Sequence, residues 1–304
     1  MKTSTFTLRA PTDRDVGALA ALQTIDDQRS EDSWVTTSHD ILHEWRAPGF
    51  DRARMVRVAE DDGTIVGQFT ISPPKLGVGR SRGFVHPDHR RKGIGSALIG
   101  WAVDAARTLG FKELFTHSNE ADAFGLIEQA GFTYQRTFLR MMNRNPSATP
   151  APEWPEGIRL VPLQGDELID AVVTALDGSF IDHWNFRPTD RGEVAHELED
   201  AGEDPALWFV AFGGNEVAGC NICHLKTRDG VTRGHVGPLG TTRPFRGIGL
   251  GRALLRHGVR ELAARGAVEV GLGVDSENPN SAVGLYERNG FERTTELRVF
   301  SRAF

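Results

Sequence analysis

Two stretches of this chain carry the same pattern, and that duplication limits what the chain can fold into. Residues 241–260 read TTRPFRGIGLGRALLRHGVR, with Arg246-Gly247-Ile248-Gly249-Leu250-Gly251 forming an R-x-x-G-x-G loop. Residues 85–99 read VHPDHRRKGIGSALI, and Arg90-Arg91-Lys92-Gly93-Ile94-Gly95 repeats the loop 156 positions before Arg246. Further on, THSNEADAFGLIEQAGF (116–132) parallels VDSENPNSAVGLYERNGF (274–291). Aligned on Gly131 and Gly290, Asn119 matches Asn278 and Leu126 matches Leu285, with the same spacing of 12 from Asn to Gly. Two loops and two downstream segments in the same order identify a tandem repeat of one domain. The 304 residues suit two domains of about 150 residues, each large enough to bury its own core. The boundaries expected are 1–145 and 157–304, separated by a proline-rich linker over 146–156.

The loop has a physical purpose beyond turning the chain. A glycine-rich turn feeding a helix leaves backbone N–H groups unpaired, and without a Cβ an oxyanion can approach them closely. The helix dipole adds to the attraction, so a phosphate or diphosphate is favoured there. Arg246 and Arg252 would add positive charge. In the first copy the corresponding set is Arg90, Arg91, Lys92, Gly93, Ile94, Gly95 and Ser96. A P-loop would need G-x-x-x-x-G-K-[ST], which is absent. A Rossmann turn would need G-x-G-x-x-G straight after a first strand; here the glycines are spaced G-x-G-x-G, late in each half.

Periodicity predicts the same element order twice. In the first half strands fall at about 5–9, 55–60, 65–72, 78–86 and 112–117, with a last one ending near 142. Helices fall at about 12–25, 37–45, 93–108 and 120–130. Thr12–Asp15 and Thr37–Asp40 read as capping boxes. In the second half strands are expected at about 158–162, 207–212, 216–225, 232–239, 268–274 and 291–301. Helices are expected at about 166–176, 190–200, 247–265 and 280–289.

Composition narrows the classes. Hydrophobic residues at 39% and charged residues at 25% describe a globular α/β protein. The N-terminus lacks a signal-peptide core and no run is apolar enough for a membrane span, so a cytoplasmic chain with no membrane partner is expected. No basic stripe interleaved with aromatics points to nucleic acid. The first 145 residues hold 19 Lys and Arg against 18 Asp and Glu, a charge of +1; the rest hold 16 against 23, a charge of −7. The acidic half suits an amine substrate, or is solubilising surface. Cys220-Asn221-Ile222-Cys223-His224 matches the C-x-x-C-H of c-type haem attachment. It lies in a predicted strand, where residues three apart face opposite sides, so haem is rejected. No metal is expected.

The duplicated loop, its following helix and the Asn-to-Gly segment together resemble the Gcn5-related N-acetyltransferase (GNAT) superfamily, over nearly the whole chain. The resemblance implies a tandem pair of acyl-coenzyme A domains, each a mixed, mostly antiparallel sheet flanked by helices. It implies acetyl-CoA as co-substrate, a sheet splayed between its fourth and fifth strands, and an amine acceptor. By position it puts the diphosphate at Arg246, Gly247, Ile248, Gly249, Leu250, Gly251 and Arg252. Backbone amides of strand 232–239, Leu239 among them, would face the thioester carbonyl. Asn278 would lie near the pantetheine arm. Val85, Arg90–Ser96 and Asn119 are the counterparts in the first half.

Tyr286 matches the family's general acid, since a phenol stays protonated at neutral pH and can protonate a departing thiolate. Ile127 stands at that position in the first half and cannot donate a proton, so the first half is expected to be catalytically degenerate. His235 is the positional candidate for the general base, or a structural strand histidine. Asp182-His183-Trp184 lies where an acceptor pocket is built, or is a loop with a buried Trp. Asp275 and Glu277 are expected to be solvated. Loops 26–37 and 178–189 should line the pockets. The expected partner is a small-molecule amine, bound by a monomer or homodimer. An acyl-CoA-sensing module without turnover and a protein or peptide N-acetyltransferase are the alternatives.

Overall fold

Both glycine loops feed a helix whose apolar stripe docks it on a sheet, and each helix is the crossover joining two parallel strands. The computed structural model describes residues 6–29, 36–199, 204–278 and 282–304. The strands are β1 Thr7–Arg9, β2 Val56–Asp61, β3 Thr64–Ile71, β4 Val78–Val85, β5 Glu113–Ser118, β6 Thr133–Asn143, β7 Ile158–Leu160, β8 Trp208–Gly213, β9 Glu216–Arg228, β10 Val231–Thr241, β11 Glu269–Asp275 and β12 Glu292–Ala303. The helices are α1 Val16–Arg29, α2 Ser38–Arg46, α3 Arg52–Met55, α4 Ile94–Thr108, α5 Ala121–Gln129, α6 Gly165–Phe180, α7 Arg191–Leu198, α8 Leu250–Ala264 and α9 Ala282–Glu287. Both capping boxes form, at Thr12 and at Thr37. The single turn α3, capped by Asp51, is too short to leave a periodic signal. No described helix is long and apolar enough to cross a membrane.

One compact unit takes in the chain up to Phe138 together with Thr295–Phe304; the other is Leu139–Thr294. The repeats and the units therefore differ in their last strands. In the first unit the sheet runs β1-β2-β3-β4-β5-β12. Its pairs are antiparallel except β4–β5, and β12 from the second repeat lies antiparallel to β5, from Arg298↔Ser118 to Ala303↔Glu113. In the second unit the sheet runs β7-β8-β9-β10-β11-β6, completed by the end of β6 from the first repeat. Only β10–β11 is printed by its register as parallel. A crossover helix permits that pairing in each unit.

The exchanged strands do equivalent work. Phe300 of β12 is fully buried in the first unit's core, with Leu98, Leu114 and Phe132. Leu139 and Met141 of β6 are buried in the second, with Leu255, Leu272 and Phe291. Arg302 donates to the Ala130 carbonyl at the end of α5, and Asn143 Nδ2 donates to the Asn289 carbonyl beyond α9, at 3.3 Å. Each meets a last-turn carbonyl that the helix itself leaves unpaired.

The proline-rich connection is docked rather than loose. Pro146 and Thr149 are buried, Arg260 donates to the Thr149 carbonyl at 2.9 Å, Glu153 pairs with Arg252 and Arg256, and Trp154 meets His257 edge-on at 5.7 Å.

Candidate active site

The second-unit loop opens α8 as its glycines predict. Gly247 and Gly249 have φ of +78° and +92°, a region that favours glycine. Among the described residues, no backbone carbonyl accepts from the N–H groups of residues 247–252. That leaves a cluster of donors at a helix N-terminus, into which a diphosphate fits. No Cβ placed at Gly247 would meet an atom within 4 Å, so the approach is open. The arginines point elsewhere. Arg246 donates through Nε to the Thr241 carbonyl at 3.2 Å, through Nη2 to the Ser179 carbonyl at 3.0 Å and through Nη1 to Asp182 at 2.8 Å. Arg252 pairs with Glu153 at 3.3 Å. The cradle is thus made by backbone, and Arg246 shapes the loop.

Beside the cradle the sheet opens. β10 and β11 pair from Arg233↔Glu269 only to Val236↔Leu272, though both strands continue. On the other side, Val236 faces Cys223 and Leu239 faces Asn221, so Gly237 and Pro238 together oppose Ile222 in a β-bulge. A Cβ at Gly237 would lie 2.8 Å from the Ile222 carbonyl oxygen, and Pro238 is tolerated because a bulge leaves its position out of the ladder. The bulge turns backbone at Gly237–Leu239 away from β9 and toward the opening. A glycine and proline inside a run of strand residues was the sequence signal for it.

Tyr286, in the last turn of α9, is 7% exposed within the cluster that includes Val236, Leu272 and Val274. Its ring meets Phe291 edge-on at 5.9 Å, and its hydroxyl has no hydrogen-bond partner among the described residues. Burial pushes the phenol up to about 12, so it holds its proton at neutral pH. Asn278 follows β11 in a turn built by Asp275, which accepts the Glu277 N–H at 3.0 Å through its carboxylate and the Asn278 N–H at 3.1 Å through its carbonyl. Asp275 is buried, not solvated, because it makes this turn.

His235 lies on the opposite face of β10 from Val236, paired across the ladder with His224, the rings 6.4 Å apart. It keeps a partial opening to solvent. Even so, desolvation first, then His224, Arg140 and Lys226, push its imidazole down to about 3. The ring is neutral, and too weak a base to drive proton removal from an ammonium by itself. Sequence reading had passed over His224 as part of the rejected haem motif. That rejection has a geometric reason: Cys220 is buried in the α6–α7 core and Cys223 in the α8–α9 core, on opposite faces of β9. Both thiols are free, and burial raises both.

Asp182 accepts from Arg243, with Nε at 3.0 Å, and from Arg246; these two guanidiniums hold its carboxyl well below the usual range. It ties the α6–α7 loop to the cradle loop rather than facing an acceptor. His183 packs edge-on against Phe180 at 4.7 Å, and Trp184 is partly buried beside it in the chain. In loop 26–37 of the first unit, residues 30–35 lie outside the described residues.

The first unit keeps the cradle and lacks the rest. Gly93 opens α4 with φ of +83°. Arg90 donates to the Val85 carbonyl at 3.2 Å and pairs with Glu120 at 2.8 Å, much as Arg246 does. Arg91 and Lys92 are exposed, with Lys92 3.4 Å from His89; Ser96 and Asn119 are exposed as well. β4, however, pairs with β3 from Gly67↔Val85 to Ile71↔Ser81 without a bulge. Past the last β4–β5 pair, Ser81 Oγ donates to the Phe115 carbonyl at 2.9 Å and Thr116 Oγ1 to the Ser81 carbonyl at 3.5 Å. These bonds close the strands together at the position where the second unit has its bulge. Ile127 is core.

Comparison with known proteins agrees with this geometry. The model of the acetyltransferase (GNAT) family matches residues 19–132 and again 169–291. The mycothiol acetyltransferase of Kineococcus radiotolerans is 32% identical over 271 residues, covering 86% of this chain and 85% of that one. Among solved structures, a GCN5-related N-acetyltransferase from Sphaerobacter thermophilus superposes with a TM-score of 0.78 at 24% identity, over 98% of this chain and 95% of its own. A tandem GNAT protein from the clavulanic acid biosynthesis pathway gives 0.76 at 17% identity, over 98% of each chain. The chain belongs to the GNAT acetyltransferase family, as an acetyl-CoA-dependent acyltransferase in which the family domain occurs twice.

Proposed function

We propose that the second unit moves an acetyl group from acetyl-CoA to a primary amine of a small molecule, and that the first unit does no chemistry. The observation that carries this reading is the pairing of the Gly237–Pro238 bulge with the protonated, hydrogen-bond-free phenol of Tyr286 in one unit only. The neutral amine attacks the thioester carbon, and a C–N bond forms as negative charge builds on the carbonyl oxygen. Backbone N–H groups at the bulge face that charge; a donor so aimed is typically worth about 3–4 kcal/mol. The C–S bond then breaks, Tyr286 gives its proton to the thiolate, and the proton leaving the new amide nitrogen passes out through water to restore the phenol. Asn278 and the N–H groups of 247–252 hold the coenzyme. His235, neutral, is suited to orienting the amine.

The relative's name puts a mycothiol-type acceptor first among those to test. A release assay for coenzyme A thiol, run on the full chain with acetyl-CoA and amino-sugar–cysteine conjugates, polyamines, amino acids and aminoglycosides, decides the reading; no release with any amine above hydrolysis refutes it. The intact N–H cluster at Gly93–Ser96 favours a second reading for the first unit, acyl-CoA binding without turnover. Calorimetry with coenzyme A would then give a stoichiometry near two, against one if the first unit is scaffold.

A further inference from the structure

The exchanged strand β6 brings a cation to the acceptor side of the second unit's opening. Leu139 and Met141 point into the α8–α9 core, so alternation turns Arg140 to the other face. There one of its guanidinium nitrogens lies 3.3 Å from where a Cβ on Gly273 would be. On the same face Gly271 lies beside His235 in the parallel ladder. Two glycines in alternate positions strip β11 of side chains on this face, next to the point where it parts from β10. The bare strip is bounded by Arg140 on one side and by His235 and His224 on the other.

The charges around the strip are unequal. Arg140 and Lys226 both disfavour a proton on His235, and Lys226 shares His224's face of β9 two residues on. Of the acids, Glu197 is 3.9 Å from His224 Nε2 with its side chain half exposed. Asp275 is engaged in its turn, and Glu269 is held between Arg233 at 3.3 Å and Arg144 at 3.0 Å. A lone ammonium is repelled here. An amine carrying an anionic oxygen group is drawn in, and the same field favours its neutral, attacking form.

We propose that Arg140 selects the acceptor by binding a carboxylate or phosphate next to the reacting nitrogen; this rests on the acetyl transfer proposed above. A guanidinium matches either group with two parallel N–H donors, which a lysine cannot do. Arg140 belongs to the first repeat in sequence and to the second unit in space, so the acceptor's specificity is written partly in the half that lacks the catalytic phenol.

The test uses the full chain, saturated with coenzyme A, in calorimetry with matched amines: alanine against alaninamide, and phosphoethanolamine against ethanolamine. In the wild type one charged member binds at least about tenfold tighter than its neutral partner. Arg140→Met abolishes that preference and Arg140→Lys keeps part of it, while coenzyme A affinity and melting temperature hold in both. Equal binding of charged and neutral members overturns the proposal, as does a loss in Arg140→Met that also weakens coenzyme A, which marks a structural role. Thiol release with the same amines is read separately. Its absence for every amine refutes the reaction, whereas turnover without a charge preference refutes only the role of Arg140.

Discussion

Replacing Tyr286 with Phe removes one oxygen and leaves the ring. The ring is what packs: it fills the α8–α9 core and meets Phe291 at 5.9 Å. The hydroxyl has no partner to lose among the described residues, so stability should move by no more than about 0.5 kcal/mol. Catalysis should respond differently. Burial lifts the phenol to about 12, which alone makes it a reluctant donor to an ordinary thiolate. The chain itself shows what burial does to thiols, since Cys220 is also pushed up to about 12. A thiolate leaving inside the same core is lifted likewise, the two groups become matched, and proton transfer is close to neutral. Losing a matched general acid costs about 10²-fold or more in kcat, which is about 2.7 kcal/mol of barrier. The assay is steady-state thiol release on Tyr286→Phe beside calorimetry for coenzyme A and a thermal melt. The expected result is a lower kcat with an unchanged coenzyme affinity and melting temperature. Unchanged turnover refutes the acid role, and so does a fall in kcat matched by a fall in coenzyme affinity, which would make the phenol a binding group.

Three further outcomes follow from the geometry. His235 is held to about 3 in the folded chain against an ordinary value near 6.5, so the unfolded chain binds a proton that the folded one refuses; stability should fall as pH drops from about 6.5 toward 3, and His235→Gln should flatten that slope in pH-resolved melts. Gly258 has no room for a methyl, because a Cβ would lie 2.3 Å from Asn221 Nδ2 and 2.8 Å from Cys223 Sγ, so Gly258→Ala should destabilise the second unit by about 1–3 kcal/mol in denaturant titration. Phe300→Ala, although in the second repeat, should loosen the first unit: removing a fully buried Phe costs about 3–5 kcal/mol, and hydrogen exchange should rise in β2–β5 while β8–β11 keep their protection.

Most of the architecture was legible because it is local. Both capping boxes, both glycine turns and the strands flanking them carry their own chemistry in a few residues, and the bounds of β2–β5 and β8–β11 fall within a few residues of the periodic pattern. What escaped notice depends on distant partners. β6 and β12 have equivalent sequences in the two repeats, so nothing within either strand says which unit it completes. Arg246 looked like a phosphate ligand because its neighbours in sequence are the cradle; its donors go to Ser179 and Asp182, more than 60 positions away. Asp275 looked solvated because a lone carboxylate after a strand usually is, whereas here it ties a turn. The Gly237–Pro238 bulge could have been read, since proline is excluded from a central ladder except at an irregularity.

The two units separate what binding requires from what chemistry requires. Binding a diphosphate asks mainly for backbone: a glycine turn, a free helix end and an arginine that shapes the loop, all present at Gly93 and at Gly249. Stabilising an oxyanion and releasing a thiolate asks for a bulge and a phenol, and only the second unit has them. The first has closed the corresponding position with the Ser81 and Thr116 hydroxyls and filled the acid's place with Ile127. The exchange of last strands explains why that half is kept. Leu139 and Met141 are core of the catalytic unit, and Phe300 is core of the other, so neither repeat encodes a complete unit. Selection on the catalytic unit therefore acts on residues of both repeats, and a half freed from catalysis is still bound to the fold.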